Sequence, residues 1–271
     1  MSAGPAAPGA GERDGVGGPP VDGAPRGAGG GRRAELAAAL DDLRRRVEGA
    51  CSAAGRAPAG VRVVVTTKTF PASDVLHLAA LGVRDVGEAR EQEARAKREE
   101  VSGAAGGPDD PAAALRWHFL GRLQRNKAAA VASWAHLVHS VDSERLADAL
   151  GRGAERAARE LPVLVQVDLD GEDGDEGRGG APAGAVPALA DHVAGTPGLR
   201  LAGLMAVAPR EAEPAAAFAA LARLAERVRT DHPGAGVLSA GMSGDLEEAV
   251  AAGATHLRVG RAVLGGRPPL R

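Results

Sequence analysis

A chain of 271 residues, 44% of them hydrophobic, is long enough to bury one large core or two small ones. Its formal net charge of −2 gives no electrostatic reason to expect nucleic acid or an anionic membrane as a partner. Cys51 is the only cysteine, which excludes a disulfide framework and a thiolate metal cluster and suits a reducing cytoplasm.

The first 31 residues are Gly, Ala and Pro with scattered charges, and are expected to form a disordered tail ahead of a domain spanning 32–271. This segment lacks the apolar core of a signal peptide, and no stretch of the chain is apolar enough to span a bilayer. Leu36, Leu40, Leu43 and Val47 then follow helical spacing, so a helix precedes any strand. Strand-like runs follow near 61–67, 83–87, 116–120, 136–140, 162–169, 199–206, 236–240 and 256–260. Helical stretches separate them at 72–82, 88–101, 123–132, 143–160, 184–194, 213–230 and 244–252. Two segments rich in Gly and acids, 102–111 and 170–180, read as solvent loops.

Strands alternating with helices imply a parallel sheet, and eight such units match a single closed (β/α)8 TIM-type barrel with an additional N-terminal helix. A doubly wound open sheet is the alternative. It usually opens with a Gly-rich first turn, which Thr67-Lys68-Thr69-Phe70-Pro71 is not.

In such barrels, active sites lie at the C-terminal ends of the strands. Lys68 ends the first strand. Alternation sets Val64, Thr66 and Lys68 on one face and Val61, Val63 and Val65 on the other. The all-valine face suits the helix layer, which turns Lys68 inward; a lysine curled out to solvent is the competing outcome. In the last strand, Leu257 and Val259 face the helices, so Arg258 faces the interior. An inward arginine needs an acceptor, either a bound ligand or an acid such as Glu88. Barrel closure makes the last strand the neighbour of the first, and a nearby cation favours a neutral, nucleophilic lysine amine.

After the seventh strand comes Ser239-Ala240-Gly241-Met242-Ser243-Gly244-Asp245, and after the eighth Gly260-Arg261-Ala262. Glycines admit an anion to the backbone, and Ser243 is placed to start the next helix. An ordinary capped helix explains the first turn equally well when it is taken alone. His118 could act as a general base, although a hydrogen-bonded core histidine is the commoner outcome, and His139 has the same standing. No metal-ligand spacing is present. Lysine, inward arginine and a phosphate cradle together are the equipment for pyridoxal 5′-phosphate (PLP), whose aldehyde would join Lys68 as an aldimine.

The segments Thr67-Lys68-Thr69, Val86-Gly87-Glu88, Gln92-Glu93-Ala94, Trp117-His118-Phe119-Leu120-Gly121, Leu123-Gln124, Asn126-Lys127, His139-Ser140-Val141-Asp142, Gly203-Leu204-Met205-Ala206, Gly241-Met242-Ser243-Gly244-Asp245-Leu246-Glu247 and Arg258-Val259-Gly260 occur in order across roughly residues 33 to 266. In them the chain resembles the pyridoxal phosphate homeostasis protein family, relatives of the barrel domain of bacterial alanine racemase. The resemblance implies a PLP-binding barrel concerned with intracellular vitamin B6 balance and without robust turnover. It implies Lys68 as the Schiff-base lysine, Arg258 facing the pyridine nitrogen, and Ser243, Gly260 and Arg261 at the phosphate. Met205, Ser239 and Met242 complete the candidate cofactor-binding set. Two positions depart from the family pattern: Ala89 stands where Asn is usual, and Arg261 where Thr is common.

An arginine at the pyridine nitrogen leaves it unprotonated and makes PLP a weaker electron sink. The chain has no tyrosine and ends a few residues after the eighth strand, so a racemase using a tyrosine as second base is excluded by composition. The expected protein is a cytoplasmic, monomeric PLP carrier with apo-PLP-enzymes as recipients. A small PLP-dependent amino-acid enzyme of racemase or decarboxylase type is the alternative.

Overall fold

The computed structural model describes residues 1, 28–170, 179–209 and 213–266. The first helix, α1 (Ala28–Ala53), buries Leu36, Leu40, Leu43, Val47 and Cys51 along one stripe. Residues 2–27 of the expected tail fall outside the described residues, and its last four residues are the start of α1.

Eight parallel strands close into a barrel: β1 (Arg62–Thr66), β2 (Asp85–Glu88), β3 (Arg116–Phe119), β4 (Leu137–Val141), β5 (Leu161–Asp168), β7 (Leu199–Met205), β8 (Val237–Ser239) and β9 (His256–Val259). β1 pairs with both β2 and β9, and β4 pairs with β5, which completes the ring. A two-residue strand, β6 (Ala181–Pro182), adds to the end of β5 outside the ring. Sequence patterning did not mark it, because two residues carry no periodicity.

The strands alternate with α2 (Ala72–Ala80), α3 (Glu91–Ala104), α4 (Ala128–Ala132), α5 (Glu144–Arg156), α6 (Val186–Gly195), α7 (Pro214–Asp231), α8 (Leu246–Ala251) and a final short α9 (Arg261–Leu264). α9 has no counterpart among the expected helices, and α3 runs into the expected loop at 102–111. Most of the other expected loop, 171–178, lies outside the described residues.

The apolar core separates into two layers. The outer layer, between strands and helices, contains Val65, Val86, Phe119, Leu257 and Val259. The inner layer is small: Leu137, Leu164, Ala202 and Met205 pack inside the barrel. The other inward positions carry Val64, Asp85, His118, His139, Ser239, His256 and Arg258, all buried. The interior is thus polar for most of its height, and every polar group there needs a partner.

α1 clamps the far end of the chain. Arg46 donates to the Ser243 carbonyl at 3.1 Å and pairs with Glu247 through two bonds of 2.9 Å. Arg56 donates to the carbonyls of Val250 and Ala254, and Arg32 to Asp74 and to the Leu264 carbonyl. Among the described residues, no helix is long and apolar enough to cross a membrane.

Candidate functional site

Lys68 lies just past β1, in the turn closed by the Phe70 N–H to the Thr67 carbonyl at 3.1 Å. The next residue, Thr69, has φ 68°, a left-handed conformation that a β-branched residue adopts only under constraint. The constraint comes from behind the strand. Lys97 on α3 donates to the Thr67 carbonyl at 2.7 Å and to Glu88 Oε1 at 2.6 Å, and the Thr67 hydroxyl donates to the same oxygen at 2.6 Å. This buried knot pins the backbone on which Lys68 stands. It also disposes of an ion pair between Arg258 and Glu88, because Glu88 faces the helix layer.

Arg258 is 6% exposed and faces inward, as the pattern Leu257-Arg258-Val259 requires. Nη1 donates to Ser239 Oγ at 2.7 Å and Nη2 to the Ala206 carbonyl at 2.8 Å. Among the described residues no carboxylate pairs with it. Burial pushes its pKa down to about 10, with Asp245 pulling weakly the other way.

Gly241 turns the chain after β8 with φ 88°, and a Cβ there would meet Ala249 Cβ at 2.6 Å and Leu257 Cδ2 at 2.9 Å. Asp245 accepts the Met242 N–H and is the N-cap of α8. The expectation that Ser243 starts the helix is therefore not met; it sits in the preceding turn, where its hydroxyl oxygen accepts the Ala262 N–H at 3.2 Å. The loops after β8 and β9 are thereby bonded into one concave unit, with Gly260 at the start of α9. The Ser243 hydroxyl keeps its own proton to donate. Among the described residues, the N–H groups of Ser243 and Gly244 have no acceptor within the protein.

The structure brings Lys68, Arg258, Ser239, Ser243 and Gly260 to one side of the barrel mouth, over β1, β8 and β9. Met205 is buried inside the barrel as the register partner of Ser239. Met242 and Arg261 are exposed. A groove of about 1180 Å³ lies over the other half of the mouth, between Ala89, Phe119, Arg122, Leu123 and Asp142. It is lined by none of the candidate cofactor residues.

His118 and His139 are fully buried core histidines with partners on both ring nitrogens. Asp85, which His118 Nε2 bonds at 2.9 Å, was not singled out in the sequence. Alternation was the available signal: it turns Asp85 and Gly87 inward and Val86 and Glu88 outward. Burial would raise the Asp85 pKa, but hydrogen bonds from His118 and Arg116 outweigh it and hold the carboxyl below its ordinary value. Among the described residues, no group of three or more His, Cys, Asp or Glu side chains converges as a metal site.

The family model for the alanine racemase N-terminal domain matches residues 39–268. The pyridoxal phosphate homeostasis protein of Mycobacterium tuberculosis is 44% identical over 250 residues, covering 87% of this chain and 94% of that one. The structure of PipY from Synechococcus elongatus PCC7942, determined with PLP bound, is 32% identical with a TM-score of 0.71, covering 85% of this chain and 100% of PipY. A structure from Bifidobacterium adolescentis superposes with a TM-score of 0.76 at 26% identity, over 86% of this chain and 96% of that one. The chain belongs to the alanine racemase N-terminal-domain family and, within it, to the pyridoxal phosphate homeostasis proteins.

Proposed function

We propose that this protein binds pyridoxal 5′-phosphate covalently through Lys68 and acts as a carrier in vitamin B6 homeostasis. The observation that supports the reading is that Lys68 follows β1, the strand paired with β9, which carries the buried Arg258, beside two loops bonded to each other. The donor set fits the cofactor. PLP brings an aldehyde, which an amine captures. Arg258 supplies donors for a ring nitrogen and, among the described residues, has no carboxylate partner to compete with it. The Ser243 hydroxyl and the N–H groups of Ser243 and Gly244 suit a phosphate, with Gly260 and Arg261 flanking it. Ser239 sets the back of the ring pocket, Met205 lies below it inside the barrel, and Met242 stands at its rim.

Relatives carrying this family's name are described as homeostasis proteins rather than as enzymes. The absence of tyrosine agrees with a holding role. On this reading the barrel, residues 32–271, is the binding unit, apo-PLP-enzymes are the recipients and the protein is a cytoplasmic monomer.

The experiment is borohydride reduction after PLP addition, followed by peptide mass spectrometry. A phosphopyridoxyl mass on Lys68, absent from Lys68→Ala, is the expected result. Modification elsewhere at equal yield would refute the assignment. Rapid Lys68-dependent turnover of L- or D-amino acids would replace the carrier reading with an enzymatic one.

A further inference from the structure

An unbroken line of buried polar side chains runs from Arg258 to the N-terminal end of the barrel. Arg258 Nη1 donates to Ser239 Oγ at 2.7 Å. Ser239 Oγ lies 2.9 Å from His139 Nδ1, His139 Nε2 lies 2.9 Å from His118 Nδ1, and His118 Nε2 lies 2.9 Å from Asp85 Oδ1. The five residues stand on five different strands, β9, β8, β4, β3 and β2, and the middle three have no exposed surface.

The two ends dictate where the protons sit. A guanidinium only donates and a carboxylate only accepts. Ser239 accepts from Arg258, so its own proton goes to His139 Nδ1. His139 then keeps its proton on Nε2 and donates to His118 Nδ1, and His118 donates from Nε2 to Asp85. Each donor has one acceptor, and both rings are neutral. Reversing the line would set a bare His118 nitrogen against a carboxylate, or would require an extra proton on a ring whose burial disfavours charge. Asp85 is anchored as the acceptor end by Arg116 at 2.6 Å, with Arg62 at 3.9 Å. His256 flanks the line, its ring 6.3 Å from His118 and 6.4 Å from His139.

We propose that this through-barrel chain is a positioning device for the cofactor ring. It fixes the Ser239 hydroxyl as an acceptor and so holds the plane of the Arg258 guanidinium. That plane decides which N–H of Arg258 meets the ring nitrogen. Asp85, His118 and His139 are positioning residues that act from the far end of the barrel. Apolar side chains would fill the same volume without the desolvation cost of four buried polar groups, so the polarity serves orientation more than stability. The proposal rests on the PLP-binding reading, and its test separates the two.

The first arm uses the protein without cofactor. Long-range 1H–15N correlation of the ring nitrogens should show His118 and His139 as neutral Nε2–H tautomers from pH 6 to 8. Ser239→Ala should shift the tautomer balance of His139 more than that of His118. A Nδ1–H or doubly protonated ring at either position in the wild type overturns the proposal, whatever the PLP result.

The second arm measures PLP affinity and the absorption band of bound PLP. Ser239→Ala and Asp85→Asn should each weaken binding by about tenfold and move the band in the same direction. The double variant should lose clearly less than the product of the two. Independent, multiplicative losses overturn the proposal, and so does an unmoved band. His139→Gln takes the place of Asp85→Asn if that variant does not fold. A wild type that shows both tautomers but takes up no PLP would refute the function reading and remove the cofactor end of this one.

Discussion

Val64 and Arg258 are register partners across β1 and β9, and Lys68 follows Val64 by four residues. β1 ends at Thr66, so Lys68 stands in the turn just beyond the strand that lies beside β9, about 4.8 Å away across the sheet. One cation is buried within the barrel, and the other stands at its mouth.

Arg258 is a cost to the protein without cofactor, because burial disfavours its charged form at every pH below about 10. Its bonds to Ser239 and Ala206 offset that cost. Arg258→Met is therefore expected to leave the stability of the apo protein within about 1 kcal/mol of wild type. PLP affinity should fall by at least about tenfold. Urea unfolding and equilibrium dialysis measure the two; a large loss of stability with unchanged affinity would contradict the assignment.

Gly241 and Gly260 flank the same concavity but differ sterically. Gly241→Ala drives a methyl into Ala249 and Leu257 at a φ of 88°. It should destabilise by about 2–4 kcal/mol and weaken PLP retention. At Gly260 a Cβ meets nothing closer than the Thr66 carbonyl oxygen at 3.4 Å, so Gly260→Ala should cost less than about 1 kcal/mol. Thermal melts of the pair decide; equal destabilisation would refute the contrast.

Lys97 and Glu88 form a buried ion pair, and Glu88 Oε2 has no partner of its own. Lys97→Met strands the carboxylate and should cost about 3–5 kcal/mol. Adding Glu88→Leu should recover most of that loss, since the charge is then gone. A double-mutant cycle by urea denaturation measures the recovery, and its absence would show that the knot contributes through shape alone.

Thr69 combines a left-handed backbone with a buried hydroxyl that lacks a partner. Thr69→Gly should stabilise the fold by about 1 kcal/mol, the strain relieved being larger than the added entropy of the unfolded glycine. The same change loosens the turn carrying Lys68, so slower covalent capture of PLP should accompany the higher melting temperature. Unchanged capture would separate the strain from the site.

The inner histidines make stability depend on pH. Burial is the main cause that lowers the pKa of His118 and His139, and it takes His256 to about 3. Lowered folded-state values mean that the unfolded chain binds more protons below pH 6.5. This contribution is fully present above 6.5 and is lost as pH falls toward the folded values. His256 should remove about 2 kcal/mol between pH 7 and pH 5, and His118 and His139 act in the same direction. Melting temperatures across that range should fall steeply, and His256→Gln should flatten the slope.

The barrel was legible because its strands are Val- and Leu-rich runs at regular spacing, and Arg258 was legible because its two neighbours are apolar. The link from Ser243 to Ala262 was not, because it depends on how two loops meet in space. The same holds for Lys97, which reaches Glu88 only because α3 folds back over β2. The handedness of Thr69 ran against the preference of its own side chain and came from its surroundings. Asp85 was hidden for another reason: it sits at the strand end opposite the mouth, where function is not usually sought.

The clamp made by α1 has a consequence for how the molecule is assembled. Arg46, Arg56 and Arg32 grip carbonyls 194 to 232 residues away in sequence. α1 therefore has many of its hydrogen-bond partners in units made much later than itself. α1 also rests on α2, where Arg32 meets Asp74, but until β9 is made the ring has no closing seam. Closure of the β1–β9 seam supplies the remaining partners of α1 and brings Arg258 beside β1. A nascent chain halted before β9 would present the lysine without the arginine, so competence to hold a cofactor arrives with the final strand.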